Sequence, residues 1–69
     1  MPTDRETETL NYVVKYIRDN KIPPLQKEIA EHLNVSSVRA KQLLISLQKR
    51  GHLKLRKSEH RGITVIKTL

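Results

Sequence analysis

With 69 residues, a net charge of +7 and no cysteine, the chain has neither a disulfide framework nor a thiolate metal site, and size limits it to one domain with a small core. His32, His52 and His60 lack the spacing of a zinc motif, so no metal or cofactor is expected, and no small-molecule ligand is evident. There is no secretion signal and no apolar run near the ~20 residues that span a bilayer, so the expectation is a cytoplasmic protein without membrane contact.

Helix one is predicted over 3–20. Thr3-Asp4-Arg5-Glu6 fits a capping box, in which the threonine hydroxyl takes an early N–H and the glutamate reaches back to the cap. Glu6 and Glu8 add negative charge where the helix dipole favours it. Leu10, Val13, Val14 and Ile17 then recur at helical spacing as a core stripe. Tyr12 and Tyr16 flank that stripe and are read as boundary residues covering the core rather than as platforms for stacked bases. Pro23-Pro24 forbids continuation.

Helix two is predicted over 25–33, with Leu25, Ile29 and Leu33 facing inward. Gln26 and Lys27 lie at its N-terminus, where backbone N–H groups suit a phosphate. Asn34 can adopt the left-handed backbone that a tight turn requires, and Val35 plugs that turn. Ser36 then caps a third helix predicted over 36–50, with an apolar run at Ala40, Leu43, Leu44 and Leu47 and Gly51 just past its end. Two helices joined this tightly cross steeply, as in a helix-turn-helix.

After Gly51 the period changes. Leu53 and Leu55 alternate with Lys54 and Arg56, and Ile63 and Val65 alternate with Thr64 and Ile66, around a polar loop from Lys57 to Gly62. This pattern predicts a β-hairpin over 53–67, a wing beside the helices. The expected fold is mainly α with a small β-hairpin: a winged helix-turn-helix of three helices plus a wing.

Charge follows this organisation. Residues 1–20 sum to −1, 21–42 to +2 and 43–69 to +6. Surplus lysine can serve solubility alone, but here it coincides with the helix-turn-helix and its hairpin, which points to a polyanionic partner. The outer face of helix three offers Ser37, Val38, Arg39, Lys41, Gln42 and Ser46, and an α-helix fits the major groove of double-stranded DNA. Arg39, Lys41 and Gln42 suit base edges, Val38 suits a thymine methyl, and Ser36, Ser37 and Ser46 suit capping or phosphate contacts. Arg56, Lys57, Ser58, His60 and Arg61 would bring the wing to the backbone or minor groove.

Several short runs also stand at fixed mutual spacing: Thr3, Arg5 and Glu8; Ile22-Pro23-Pro24; Glu28-Ile29-Ala30 with Leu33; Ser36, Ala40, Leu44 and Leu47; Lys49-Arg50-Gly51; and Arg61-Gly62-Ile63. Together they resemble the N-terminal DNA-binding domain of LexA-type repressors, over nearly the whole chain. The resemblance implies a winged helix-turn-helix that acts as a repressor. Departures from the family pattern are informative. The turn before Ser36 is one residue shorter, and Leu25 stands where the family usually has a capping threonine. Ser37-Val38-Arg39-Ala40-Lys41-Gln42 replaces a Pro-Asn segment followed by acids, so the scaffold carries over and the operator does not. The dimerising, self-cleaving part of LexA repressors, with its serine–lysine pair, has no counterpart in these residues, and self-cleavage is not expected of them.

The leading expectation is a sequence-specific double-stranded DNA-binding regulator, a small repressor that is monomeric in solution and able to pair on DNA. One alternative is a protein-interaction winged helix that docks on another regulator through exposed Val38 and Leu43. Another is an architectural DNA binder without sequence preference. An enzyme is not expected, because no paired acids, nucleophile–base set or phosphate loop occurs at usable spacing. Glu28 is read as a scaffold residue and Glu31 as solvent-facing.

Overall fold

In the computed structural model, which describes residues 3–56 and 62–68, α1 spans Asp4–Asn20 behind a Thr3 cap. The capping box forms as its spacing requires. The Thr3 hydroxyl accepts the Glu6 N–H at 3.2 Å, and a Glu6 carboxylate oxygen accepts the Thr3 N–H at 2.7 Å. At the other end Lys21 adopts a left-handed backbone (φ 64°) and donates its N–H to the Ile17 carbonyl at 2.8 Å. Lys21 suits a helix C-terminus by its charge, but a side chain in this conformation costs about 1–2 kcal/mol relative to right-handed backbone.

Helix α2 spans Gln26–Leu33 and α3 spans Ser37–Lys49. Ser36 caps α3 as expected, as Thr3 caps α1, whereas Leu25 and Arg50, at the ends of the predicted helices, are caps of α2 and α3. Leu25 offers no side-chain cap. Its own N–H is satisfied by Glu28, whose carboxylate accepts it at 2.7 Å and also accepts the Tyr16 hydroxyl at 2.9 Å. Glu28 is therefore a scaffold residue, as expected, and Glu31 is exposed.

Strands β1 (Leu53–Leu55) and β2 (Ile63–Val65) pair antiparallel, with Leu53 opposite Val65 and Leu55 opposite Ile63. The ladder is shorter than the predicted 53–67 span. Beyond it, the N–H groups of Ile66 and Lys67 both donate to the His52 carbonyl, at 2.8 and 3.3 Å. The His52 ring closes the same corner, with Nδ1 3.0 Å from the Lys67 carbonyl. A carbonyl only accepts, so that nitrogen carries the proton.

The core collects Leu10 and Val13 from α1, Ile29, Ala30 and Leu33 from α2, Ala40, Leu43, Leu44 and Leu47 from α3, and Leu53 and Ile63 from the hairpin. Val14, Ile17, Val35 and Tyr12 pack against it half-buried. The boundary role expected of Tyr12 takes a specific form: its ring stacks on His32 with centroids 4.1 Å apart. Leu25 is only half-buried. No helix among the described residues is long and apolar enough to cross a membrane. Three helices and a two-stranded hairpin make this a winged helix-turn-helix.

Candidate nucleic-acid interface

The turn between α2 and α3 occupies Asn34 and Val35. Asn34 takes the left-handed backbone expected of it (φ 56°). Its N–H and that of Val35 bond the Glu31 and Ala30 carbonyls at 3.2 and 3.0 Å, which closes the end of α2. Ser36 then opens α3, its hydroxyl accepting the Arg39 N–H at 3.1 Å. Because Ala40, Leu43, Leu44 and Leu47 all face the core, helical geometry turns Val38, Gln42, Ile45 and Lys49 outward as a ridge at i, i+4, i+7 and i+11. Arg39 and Lys41 flank the ridge on either side.

Five candidates for groove contact, Ser37, Val38, Arg39, Lys41 and Gln42, are exposed together along the first turns of α3. Gln26 joins them directly, since its amide donates to the Ser37 carbonyl at 3.0 Å. That bond sets the N-terminus of α2 beside that of α3, with exposed Lys27 next to it. Arg56 is exposed at the end of β1, its N–H held by the Gly62 carbonyl at 2.8 Å. Lys57, Ser58, His60 and Arg61 lie outside the described residues.

Two expectations need correction. Ser46 is half-buried and turned toward α1, where its hydroxyl donates to the Glu6 carboxylate; it belongs to an interhelical contact, not to the open face. Leu43, taken as part of an exposed apolar patch, is only 2% exposed. It lies three residues after Ala40 and four before Leu47, so the helical stripe carries it inward. Val38 remains 68% exposed and stands among polar and basic neighbours.

Lys49, named in the sequence only for its place in the Lys49-Arg50-Gly51 run, extends the outer ridge, and its spacing alone could have placed it there. Sequence reasoning did not find the contacts that hold α3 in place. Gln48 accepts the Leu55 N–H at 2.7 Å, tying α3 to the wing. Glu6, 3% exposed, accepts Ser46 and lies 3.4 Å from the Arg50 guanidinium. The Ser46 hydroxyl first, then the Thr3 N–H, hold the Glu6 carboxyl down from 4.5 to about 2, against the opposing effect of burial.

Such a depression has a direction in pH. The stabilisation from Glu6 is complete above its unfolded value near 4.5 and is lost as pH falls toward about 2. The full shift corresponds to about 3 kcal/mol. The Arg50 side chain is 39% exposed, so solvent screening reduces this to about 1–2 kcal/mol. Urea titrations at pH 6 and pH 2 should show the chain losing about that much more stability than a Glu6→Gln variant. Parallel losses in the two proteins would remove Glu6 as the linked group.

From Ser36 onward the chain carries nine basic residues and one acid, Glu59. Arg39, Lys41, Lys49, Lys54 and Arg56 are exposed on α3 and the hairpin. The acids Asp4, Glu8 and Asp19 lie on α1, so charge separates between helices as it does along the sequence. Exposed basic side chains of this kind can follow a phosphate backbone while a helix enters a groove.

Comparison with known proteins gives this geometry a family. The LexA DNA binding domain family model matches residues 2–62. LexA repressor 1 of Geobacter sulfurreducens is 30% identical over 63 residues, covering 90% of this chain and 31% of that protein. The LexA repressor of Oleidesulfovibrio alaskensis is 31% identical over 65 residues, covering 94% and 31%. That of Thermotoga petrophila is 28% identical over 67 residues, covering 97% and 34%. The chain thus spans about a third of the length of these relatives. On the match across most of its residues and the three helices and hairpin that realise it, the chain belongs to the LexA DNA-binding domain family.

Proposed function

We propose that the chain is the DNA-binding element of a transcriptional repressor and that it reads double-stranded DNA by placing α3 in the major groove. The observation that carries this reading is the exposed cluster of Val38, Arg39, Lys41 and Gln42 at the start of α3, on a scaffold of the LexA family. Arg39 and Lys41 donate to guanine O6 and N7, Gln42 pairs with adenine N6 and N7, and Val38 packs on a thymine methyl. Ser36, Ser37, Gln26 and Lys27 lie where a phosphate strand passes the paired N-termini of α2 and α3. Arg56 and the wing loop engage the neighbouring backbone or minor groove. One copy contacts one half-site, and two copies in register on DNA give tight repression.

Selection of bound duplexes from a random library, with the chain and with Arg39→Ala, tests this reading. The chain should enrich a defined half-site. Arg39→Ala should flatten preference at one base pair, at about 1–3 kcal/mol for a bidentate contact. No enrichment by the chain would favour an architectural binder, and an unchanged Arg39→Ala profile would take that residue out of base readout. Docking on another protein is disfavoured by the burial of Leu43, which leaves Val38 without the apolar neighbour expected for a patch.

A further inference from the structure

We infer that the first turn of α1 is a clamp that fixes the angle at which α3 is presented, and that Glu6 is its positioning residue. The glutamate of a capping box ordinarily does local work, reaching back to its own helix cap. Here the two carboxylate oxygens divide the task. Oε1 accepts the Thr3 N–H at 2.7 Å, which closes α1. Oε2 accepts the hydroxyl of Ser46, on the far half of α3, and sits 3.4 Å from Nε of Arg50, the residue that caps that helix. Its neighbour Arg5 grips the other helix of the pair, donating from Nη1 to the Leu33 carbonyl at 3.2 Å. Adjacent side chains of opposite charge therefore hold the C-terminal end of α2 and the C-terminal half of α3.

The placement gives the clamp leverage. Ser46 lies eight residues beyond Val38, roughly 12 Å along the helix axis. A tilt of about 10° about that point displaces the start of α3 by about 2 Å, more than the spread of hydrogen-bond lengths that a bidentate base contact tolerates. Phosphate contacts are less demanding, because flexible lysine and arginine side chains follow a moving backbone. Loss of the clamp therefore lowers discrimination between DNA sequences more than it lowers affinity for DNA in general. Ser46, in this account, positions α3 and does not touch DNA.

This inference rests on the DNA-reading function proposed above, and the test separates the two. Affinities for a selected site and for an unrelated duplex are measured at 10 °C for the chain, Glu6→Ala, Glu6→Gln and Ser46→Ala, each shown by circular dichroism to be folded. The ratio of the two affinities should fall about tenfold in Glu6→Ala and less in Glu6→Gln, which keeps the shape and one acceptor. Ser46→Ala should also lower the ratio. Equal loss on both duplexes would make Ser46 a phosphate contact, and an unchanged ratio in Glu6→Ala and Ser46→Ala would overturn the clamp. A second measurement needs no DNA: residual dipolar couplings should report a changed α1–α3 angle in Glu6→Ala, or in Ser46→Ala if the former does not fold. An unchanged angle overturns the clamp whatever the affinities do. Failure of the unsubstituted chain to prefer any sequence would count against the function and leave the couplings to decide the clamp.

Discussion

Leu47→Ala should leave the chain largely unfolded at 37 °C. Leu47 is fully buried, on the α3 face that packs with the core residues of α1, α2 and the hairpin. Truncation removes the transfer free energy of the lost methyl groups and leaves a cavity that four converging elements cannot easily close, together about 3–4 kcal/mol. A domain of this length holds about 3–10 kcal/mol in all, so the loss takes a large part of it. A urea titration followed by far-ultraviolet circular dichroism should show the midpoint falling by half or more. Leu47→Met should cost less than about 1.5 kcal/mol, since volume is kept. Val38→Ala, on the exposed ridge, should stay within about 0.5 kcal/mol of the parent. If Leu47→Ala were as stable as Val38→Ala, the packing described for α3 would be wrong.

The contrast between Leu47 and Val38 also marks what could be read from sequence. Both are apolar residues of one helix, and spacing separates them: Leu47 continues the stripe from Ala40 and Leu43, while Val38 stands off it. The same rule, applied consistently, places Leu43 inside. Local backbone chemistry was equally legible. Thr3 with Glu6, Ser36, Asn34 and Gly51 each sit where their side chains, or the lack of one, fit the backbone they adopt. What sequence could not supply is the partner of a side chain across the fold. The Glu6 cap was readable from three residues' spacing, but its second oxygen meets Ser46 and Arg50 forty or more residues on. The Gln48 bond to β1 and the His52 corner likewise depend on how α3 meets the hairpin. For the candidate site, spacing placed Val38, Arg39, Lys41 and Gln42 on one exposed face. It misassigned Ser46 because a half-polar position beside the core stripe looks the same whether water or another helix lies over it.

Affinity for duplex DNA should fall about 10²–10³-fold between 50 and 200 mM monovalent salt, from the release of counterions at roughly five phosphate contacts. The contacts expected to matter are the exposed cations of α3 and the hairpin: Arg39, Lys41, Lys49, Lys54 and Arg56. Arg50 contributes less than a full contact, because Glu6 already offsets part of its charge. A plot of log affinity against log salt should then have a slope near −4.5, and Lys49→Ala should bring it about one unit closer to zero while weakening all sequences alike. A surface built to dock on a protein through Val38 would behave otherwise, since apolar burial is insensitive to salt in this range or strengthened by it. The two mechanisms therefore predict slopes that differ by several units. A slope shallower than about −2 would mean that the basic face does not follow a phosphate backbone, and the groove-reading role of α3 would fall with it, because phosphate contacts are what hold a reading helix in register.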